Sequence, residues 1–248
     1  MLIEQSAYTN RWRRVSPAAK GLFSLCGLVA AFAAATPATA CGIAAVLWAV
    51  TVLGAGIPPG RYLRVAAPAL LFLFVSTMSL AVSLRIGGSA GDVSLRLAQT
   101  EYVKVAQVCG LSLGGLAALL FLALTTPLID IIALLRRLKT PEALLDIMVL
   151  CYRTLFVFSE TVHDTITAQS ARLGYATVRL TIRSLGGLVA NITVQVWQRS
   201  QALYLAAMAR NNDGPLRFIE HTYPNSARDV CIALSGGTLL VALSMVTI

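Results

Sequence analysis

The chain has 248 residues, 57% of them hydrophobic and 12% charged, with a formal net charge of +9 at pH 7. That is more apolar side chain than a water-soluble globule of this size encloses, so lipid must take the excess and a soluble enzyme or regulator is excluded. The basic residues fall in short clusters beside apolar runs, the pattern of loops facing an anionic cytoplasmic leaflet and not that of a nucleic-acid-binding surface.

Arg11, Arg13, Arg14 and Lys20 precede an apolar stretch from Gly21 to Ile57 that Thr36-Pro37 interrupts. At about 37 residues it is too long for one span and fits a hairpin of two short ones, with Pro37 at the outer turn. Met1 to Lys20 is polar and basic, which argues against a secretory signal peptide and places the N-terminus in the cytoplasm. Pro58, Pro59, Gly60, Arg61 and Arg64 read as a basic return loop on the same side. A third span is expected over Val65 to Ile86 and a fourth over Val105 to Leu124, joined by an outer loop carrying Asp92, Arg96, Glu101 and Lys104. Gly110, Gly114 and Gly115 form a ridge of small residues on the fourth span, which favours close packing within the chain over a subunit contact.

From Pro127 charges recur every few positions, and no clean apolar window of span length returns until Val230. A short helix over Leu128 to Leu138 ends in Arg136, Arg137 and Lys139, cations suited to a helix C-terminus. Thr140-Pro141 supplies an N-cap and an N1 proline for a second helix running toward Gly174. Asp146 and Arg153 make that helix polar for a span, yet Ile147 to Phe158 is apolar, so whether 143–158 crosses the bilayer stays open. Thr177 to Arg210 has apolar residues at helical spacing, with Gly186-Gly187 as a candidate break. Val230 to Ile248 is a final span. The fold class is therefore an all-α polytopic membrane protein with about five transmembrane helices, or six. Residues 1–126 hold the basic segment and four spans, 127–228 an amphipathic cytoplasmic block, and 229–248 the last span.

Catalysis needs convergent polar groups. Glu160, His163 and Asp164 share one helical face, but a carboxylate-bridged metal site needs a second such half, and His221 stands apart in a Pro-rich loop. The five cysteines sit singly in mostly apolar stretches and read as small hydrophobes. No phosphate loop or nucleophile elbow occurs, so no catalytic residue, resident metal or cofactor is expected. A channel or secondary carrier would place ionisable residues inside its spans, and the four early spans contain almost none.

A local pattern occurs twice: Ala168-Gln169-Ser170-Ala171-Arg172-Leu173-Gly174, and Ala206-Ala207-Met208-Ala209-Arg210-Asn211-Asn212-Asp213-Gly214. In each, a helix narrows to alanines, presents one arginine and meets residues that tolerate left-handed backbone. One copy alone is explained by the helix dipole. Two copies in one block favour a docking role.

These motifs resemble the paired Ala-Arg-Gly signature that ends the cytoplasmic coupling helices of the T component of energy-coupling factor transporters. The order of four spans, helical block and final span is similar to that family as well. Thr126 to Asp130, Tyr152 to Val157, and Ala171 to Tyr175 look most like CbiQ, the T component of cobalt importers. Two departures stand out: Leu173 lies between the first arginine and Gly174, which can serve as the cap one place later, and Asn211 replaces the second glycine.

The resemblance implies a non-catalytic coupling subunit in the bacterial inner membrane. Its partners would be two ABC-type ATPase subunits and a substrate-binding S component of CbiM type, with or without a small accessory subunit. Ala171, Arg172, Gly174, Ala209, Arg210 and Asn211 would dock the ATPases. Leu185, Leu188, Ile192, Val196 and Leu203 would face the S component. Cobalt rests on subfamily likeness, and nickel, biotin or another vitamin stays open.

Overall fold

The computed structural model describes residues 2–81, 84–85, 94–95, 102–211, 223 and 226–246. Asp92, Arg96, Glu101, Pro215 and His221 lie outside the described residues, as do Asn212, Asp213 and Gly214 of the second motif. Among the described residues nine α-helices follow in order: α1 Leu2–Thr9, α2 Pro17–Ala33, α3 Pro37–Ala49, α4 Pro59–Ala81, α5 Tyr102–Thr125, α6 Leu128–Arg137, α7 Glu142–Ala171, α8 Val178–Ala209 and α9 Ser226–Val246. A π turn, Val50–Gly54, extends α3. Two short strands, β1 (Leu84–Arg85) and β2 (Ser94–Leu95), pair antiparallel with Leu84 opposite Leu95. The chain forms two compact units, Met1–Leu134 with His221–Ile248, and Leu135–Glu220.

Among the described residues four helical segments are long and apolar enough to cross a membrane: Pro37–Gly54, Pro59–Leu80, Val105–Thr125 and Ser226–Met245. A shorter apolar helix, Pro17–Ala33, completes the hairpin expected around Pro37. Thr36 caps α3 by accepting the Thr39 N–H, and Pro37 occupies the first turn, where a missing N–H is harmless. The chain is thus a polytopic all-α membrane protein. The 30-residue α7 is not among these segments, because Asp146, Arg153, Glu160 and Asp164 interrupt its apolar run.

The first unit is assembled through small residues. A Cβ at Gly114 would stand 2.5 Å from the Ala31 Cβ, and one at Gly110 would stand 2.9 Å from the Ala40 Cβ. The glycine ridge of α5 therefore lets α2 and α3 approach within this chain, and Gly237 of α9 does the same beside Cys26 of α2. Ala30, Ala31, Ala34, Ala40, Ala117 and Ala118 form one buried cluster with Ile43, Leu47 and Leu240. Phe121 fills the adjoining layer, edge-on to Phe23 at 5.2 Å and to Trp12 at 6.1 Å.

Three expectations change in this unit. The segment before Arg11 is helix α1, whose Ser6 and Ala7 are buried, and burial pushes the Glu4 carboxyl above its usual range. The basic return loop is mostly helix, because Pro59 opens α4 and the Pro58 carbonyl accepts from Arg61 and Tyr62 N–H. Lys20 is 2% exposed and not a solvated flanking charge. Its Nζ donates to the Thr125 carbonyl at 3.0 Å, and Asn10 Nδ2 donates to the same oxygen at 2.8 Å. Both cap the carbonyl end of α5, where helical partners run out.

Candidate functional site

The second unit begins at the end of α6 and consists mainly of α7 and α8. Pro141 is the N-cap of α7, one position earlier in the helix than expected, and the Thr140 hydroxyl instead donates back to the Leu135 carbonyl at 2.8 Å. Thr177 caps α8 by accepting the Leu180 N–H. The helix then runs unbroken through Gly186 and Gly187, so the candidate break is absent. Alanine and leucine neighbours carry the helix past the two glycines, whose cost is about 1 kcal/mol each.

Both arginine motifs sit at helix C-caps with nearly the same backbone. Arg172 has φ −94°, ψ 17°, and Arg210 has φ −98°, ψ 8°. The next residue turns left-handed in each case, Leu173 at φ 57° and Asn211 at φ 49°. Leu173 N–H donates to the Ser170 carbonyl at 3.0 Å, and Gly174 N–H reaches the Gln169 carbonyl at 2.9 Å, which completes a Schellman closure. Asn211 N–H donates to the Met208 carbonyl at 3.0 Å in the matching position. The left-handed cap is therefore Leu173 itself and not Gly174. A leucine there costs roughly 1–2 kcal/mol relative to glycine, whereas asparagine is better tolerated.

Gly174 is needed for space. A Cβ on it would stand 2.7 Å from Ser184 Oγ and 2.9 Å from the Gln169 carbonyl. These atoms belong to an elbow that ties the end of α7 to α8. Gln169 Nε2 donates to the Ser184 carbonyl at 3.1 Å, Tyr175 Oη donates to Gln169 Oε1 at 2.6 Å, and Ser184 Oγ donates to the Gly174 carbonyl at 2.9 Å. Sequence reasoning missed this lock, since nothing in the spacing of Gln169 and Ser184 announces a bond across a turn. A third tip repeats the backbone geometry: Lys139, at the end of α6, has φ 60°, with Lys139 N–H to Arg136 O and Thr140 N–H to Leu135 O.

Ala171, Arg172, Ala209, Arg210 and Asn211 are exposed and Gly174 is half-buried. The two arginines are not brought together. At 1.5 Å per residue, the 32 residues of α8 separate the elbow from the Arg210 tip by about 48 Å. The two guanidinium groups, permanent forked donors, thus stand at the C-terminal ends of two successive helices, Arg172 on α7 and Arg210 on α8.

Of the residues expected on the apolar face, Leu185 and Val196 are exposed, and Ile192 and Leu203 are half-buried. Leu188 departs from that expectation: it is buried, one turn beyond Ser184 on the side of α8 that α7 covers. Trp197, Tyr204 and Met208 are exposed on α8 as well. Glu160, His163 and Asp164 are all exposed, and among the described residues no three metal-binding side chains converge.

A family model described as cobalt transport protein, CbiQ, matches residues 9–220, from the end of α1 past both arginine tips. The cobalt transport protein CbiQ of Rhodobacter capsulatus is 32% identical over 217 residues, 88% of this chain and 86% of that one. A putative fused cobalt transport protein CbiMQ of Methanocorpusculum labreanum is 26% identical over 245 residues, 94% of this chain and 41% of its own length. An uncharacterised protein of Methanocaldococcus jannaschii is 33% identical over 138 residues, 56% of this chain and 52% of its own. The chain thus spans about half or less of the length of these last two relatives. With a match that covers most of its helices and both tips, the chain belongs to the CbiQ family of cobalt transport proteins.

Proposed function

We propose that this chain is the transmembrane coupling subunit of an energy-coupling factor importer for cobalt ions. In this reading it binds neither ATP nor the ion. Residues 127–228 form the cytoplasmic coupling module, and the N-terminus lies in the cytoplasm of a bacterial inner membrane. Arg172 and Arg210 each enter an acidic groove on one of two ATPase subunits. Leu185, Ile192, Val196 and Leu203 face a substrate-binding membrane component, with Leu188 holding that face to α7. The family membership supports cobalt as cargo, and the relative named as a CbiM–CbiQ fusion supports a CbiM-type partner.

The observation that carries the reading is the matching C-cap placement of Arg172 on α7 and Arg210 on α8, two successive helix ends with the length of α8 between them. A stiff α8, tied by the elbow to the Arg172 tip and ended by Arg210, transmits a displacement of one ATPase to the other and to whatever rests on its apolar flank. Cobalt uptake in cells expressing this chain with its ATPase and CbiM-type partners tests it. Arg172→Ala and Arg210→Ala should each reduce uptake severely and together abolish it, since leaving a buried carboxylate unpaired costs about 3–5 kcal/mol. Nickel or vitamin uptake in place of cobalt would change the cargo and leave the coupling role standing.

A further inference from the structure

We propose that Leu173 is an apolar anchor for the ATPase subunit that receives Arg172, and that it makes the two docking tips chemically different. The proposal rests on the docking reading above and names a further residue of that site.

Three helix tips of the second unit share one backbone solution, and the residue that turns left-handed is Lys139, Leu173 or Asn211. Among the described residues these are the only non-glycine positions with positive φ. Asparagine suits that conformation, and a lysine there keeps its charge in water. Leucine suits neither condition. Its backbone is strained, and its side chain is 72% exposed, so the chain itself recovers almost nothing from it. Glycine would close the same Schellman hydrogen bonds without either cost.

The elbow holds this residue in a fixed direction. Gln169 and Ser184 bond across from α7 to α8, Tyr175 pins Gln169, and the space at Gly174 closes the turn. Leu173 therefore projects from a rigid tip, directly beside the exposed Arg172 and after the small Ala171. A cation next to a fixed apolar knob matches an acidic groove with an apolar hollow at its edge. Desolvating a leucine in such a hollow strengthens binding without adding salt dependence. At the other tip Asn211 presents an amide from the equivalent backbone position, so that tip fits a groove lined with hydrogen-bonding groups.

The test uses the complex of this chain with its ATPase subunits, comparing wild type with Leu173→Gly, Leu173→Met and Arg172→Ala, and recording ATPase affinity at two salt concentrations beside the thermal stability of the purified chain. Leu173→Gly should raise the melting temperature yet weaken ATPase binding at least about tenfold, or 1.4 kcal/mol, at both salts. Leu173→Met should bind within about threefold of wild type. Arg172→Ala should lose binding most at low salt. Wild-type affinity in Leu173→Gly, or equal weakening in Leu173→Met, would overturn the anchor while docking stands. Wild-type affinity in Arg172→Ala would overturn docking, and the anchor with it.

Discussion

Both units of this chain are helical and rich in aliphatic residues, yet they dispose of those residues differently. In the first, alanines and glycines bring α2, α3, α5 and α9 into close contact, and Phe121, Ile43, Leu47 and Leu124 are fully enclosed. In the second, α7 and α8 are 30 and 32 residues long, and each has a single buried residue, Leu145 and Leu188. Val178, Ile182, Val189, Val194, Trp197 and Leu205 all lie more than half exposed along α8. The first unit encloses this core and leaves the outer faces of its apolar spans, α4 above all, to lipid. The second exposes apolar side chains on helices too interrupted by charge to count as spans, and on the proposed function it is the partner subunits that cover them.

Substitutions that separate these two kinds of surface should differ in size and in kind. The largest effect on the chain alone is expected at Gly114→Leu, where even a Cβ meets Ala31 at 2.5 Å, and α2 and α5 would have to part. A loss of about 3 kcal/mol, or failure to fold, should appear in thermal unfolding of the detergent-solubilised chain. Next comes the carbonyl end of α5. Asn10→Ala with Lys20→Met removes both donors to the Thr125 carbonyl and should cost about 2 kcal/mol, while either change alone costs less than half of that because one donor remains. Additive single effects would show that the two side chains act separately. The smallest effect is expected at Trp197→Ala on α8, which should change the stability of the isolated chain by less than about 0.5 kcal/mol despite the size of the side chain removed. A large loss there would mean that α8 is packed by its own chain, and the contrast between the units would fall.

Periodicity and punctuation made most helices legible in the sequence. Pro37, Thr177 and the onset of charge after Pro127 fall where α3, α8 and α6 begin, because turn and capping chemistry is local. What escaped depends on contacts distant in sequence. Lys20 looked like a flanking charge because its partner carbonyl lies at Thr125, on a different helix. Leu188 fits the apolar stripe of α8 by spacing alone, and only the crossing of α7 reveals that it is enclosed. The arginine tips were readable through their residue types. The left-handed turn at Leu173 was not, since local preference assigns it to the neighbouring glycine, and the Gln169–Ser184 elbow overrides that preference.

The proposed coupling role requires the two tips to hold ATPase subunits. The most direct measurement is co-purification of the ATPase subunits with affinity-tagged chain from detergent-solubilised membranes, comparing wild type, Arg172→Ala, Arg210→Ala and the double variant at equal chain yield. Wild type should retain both ATPase subunits, each single variant a reduced share, and the double variant none. Full retention of the ATPases by the double variant would contradict the account.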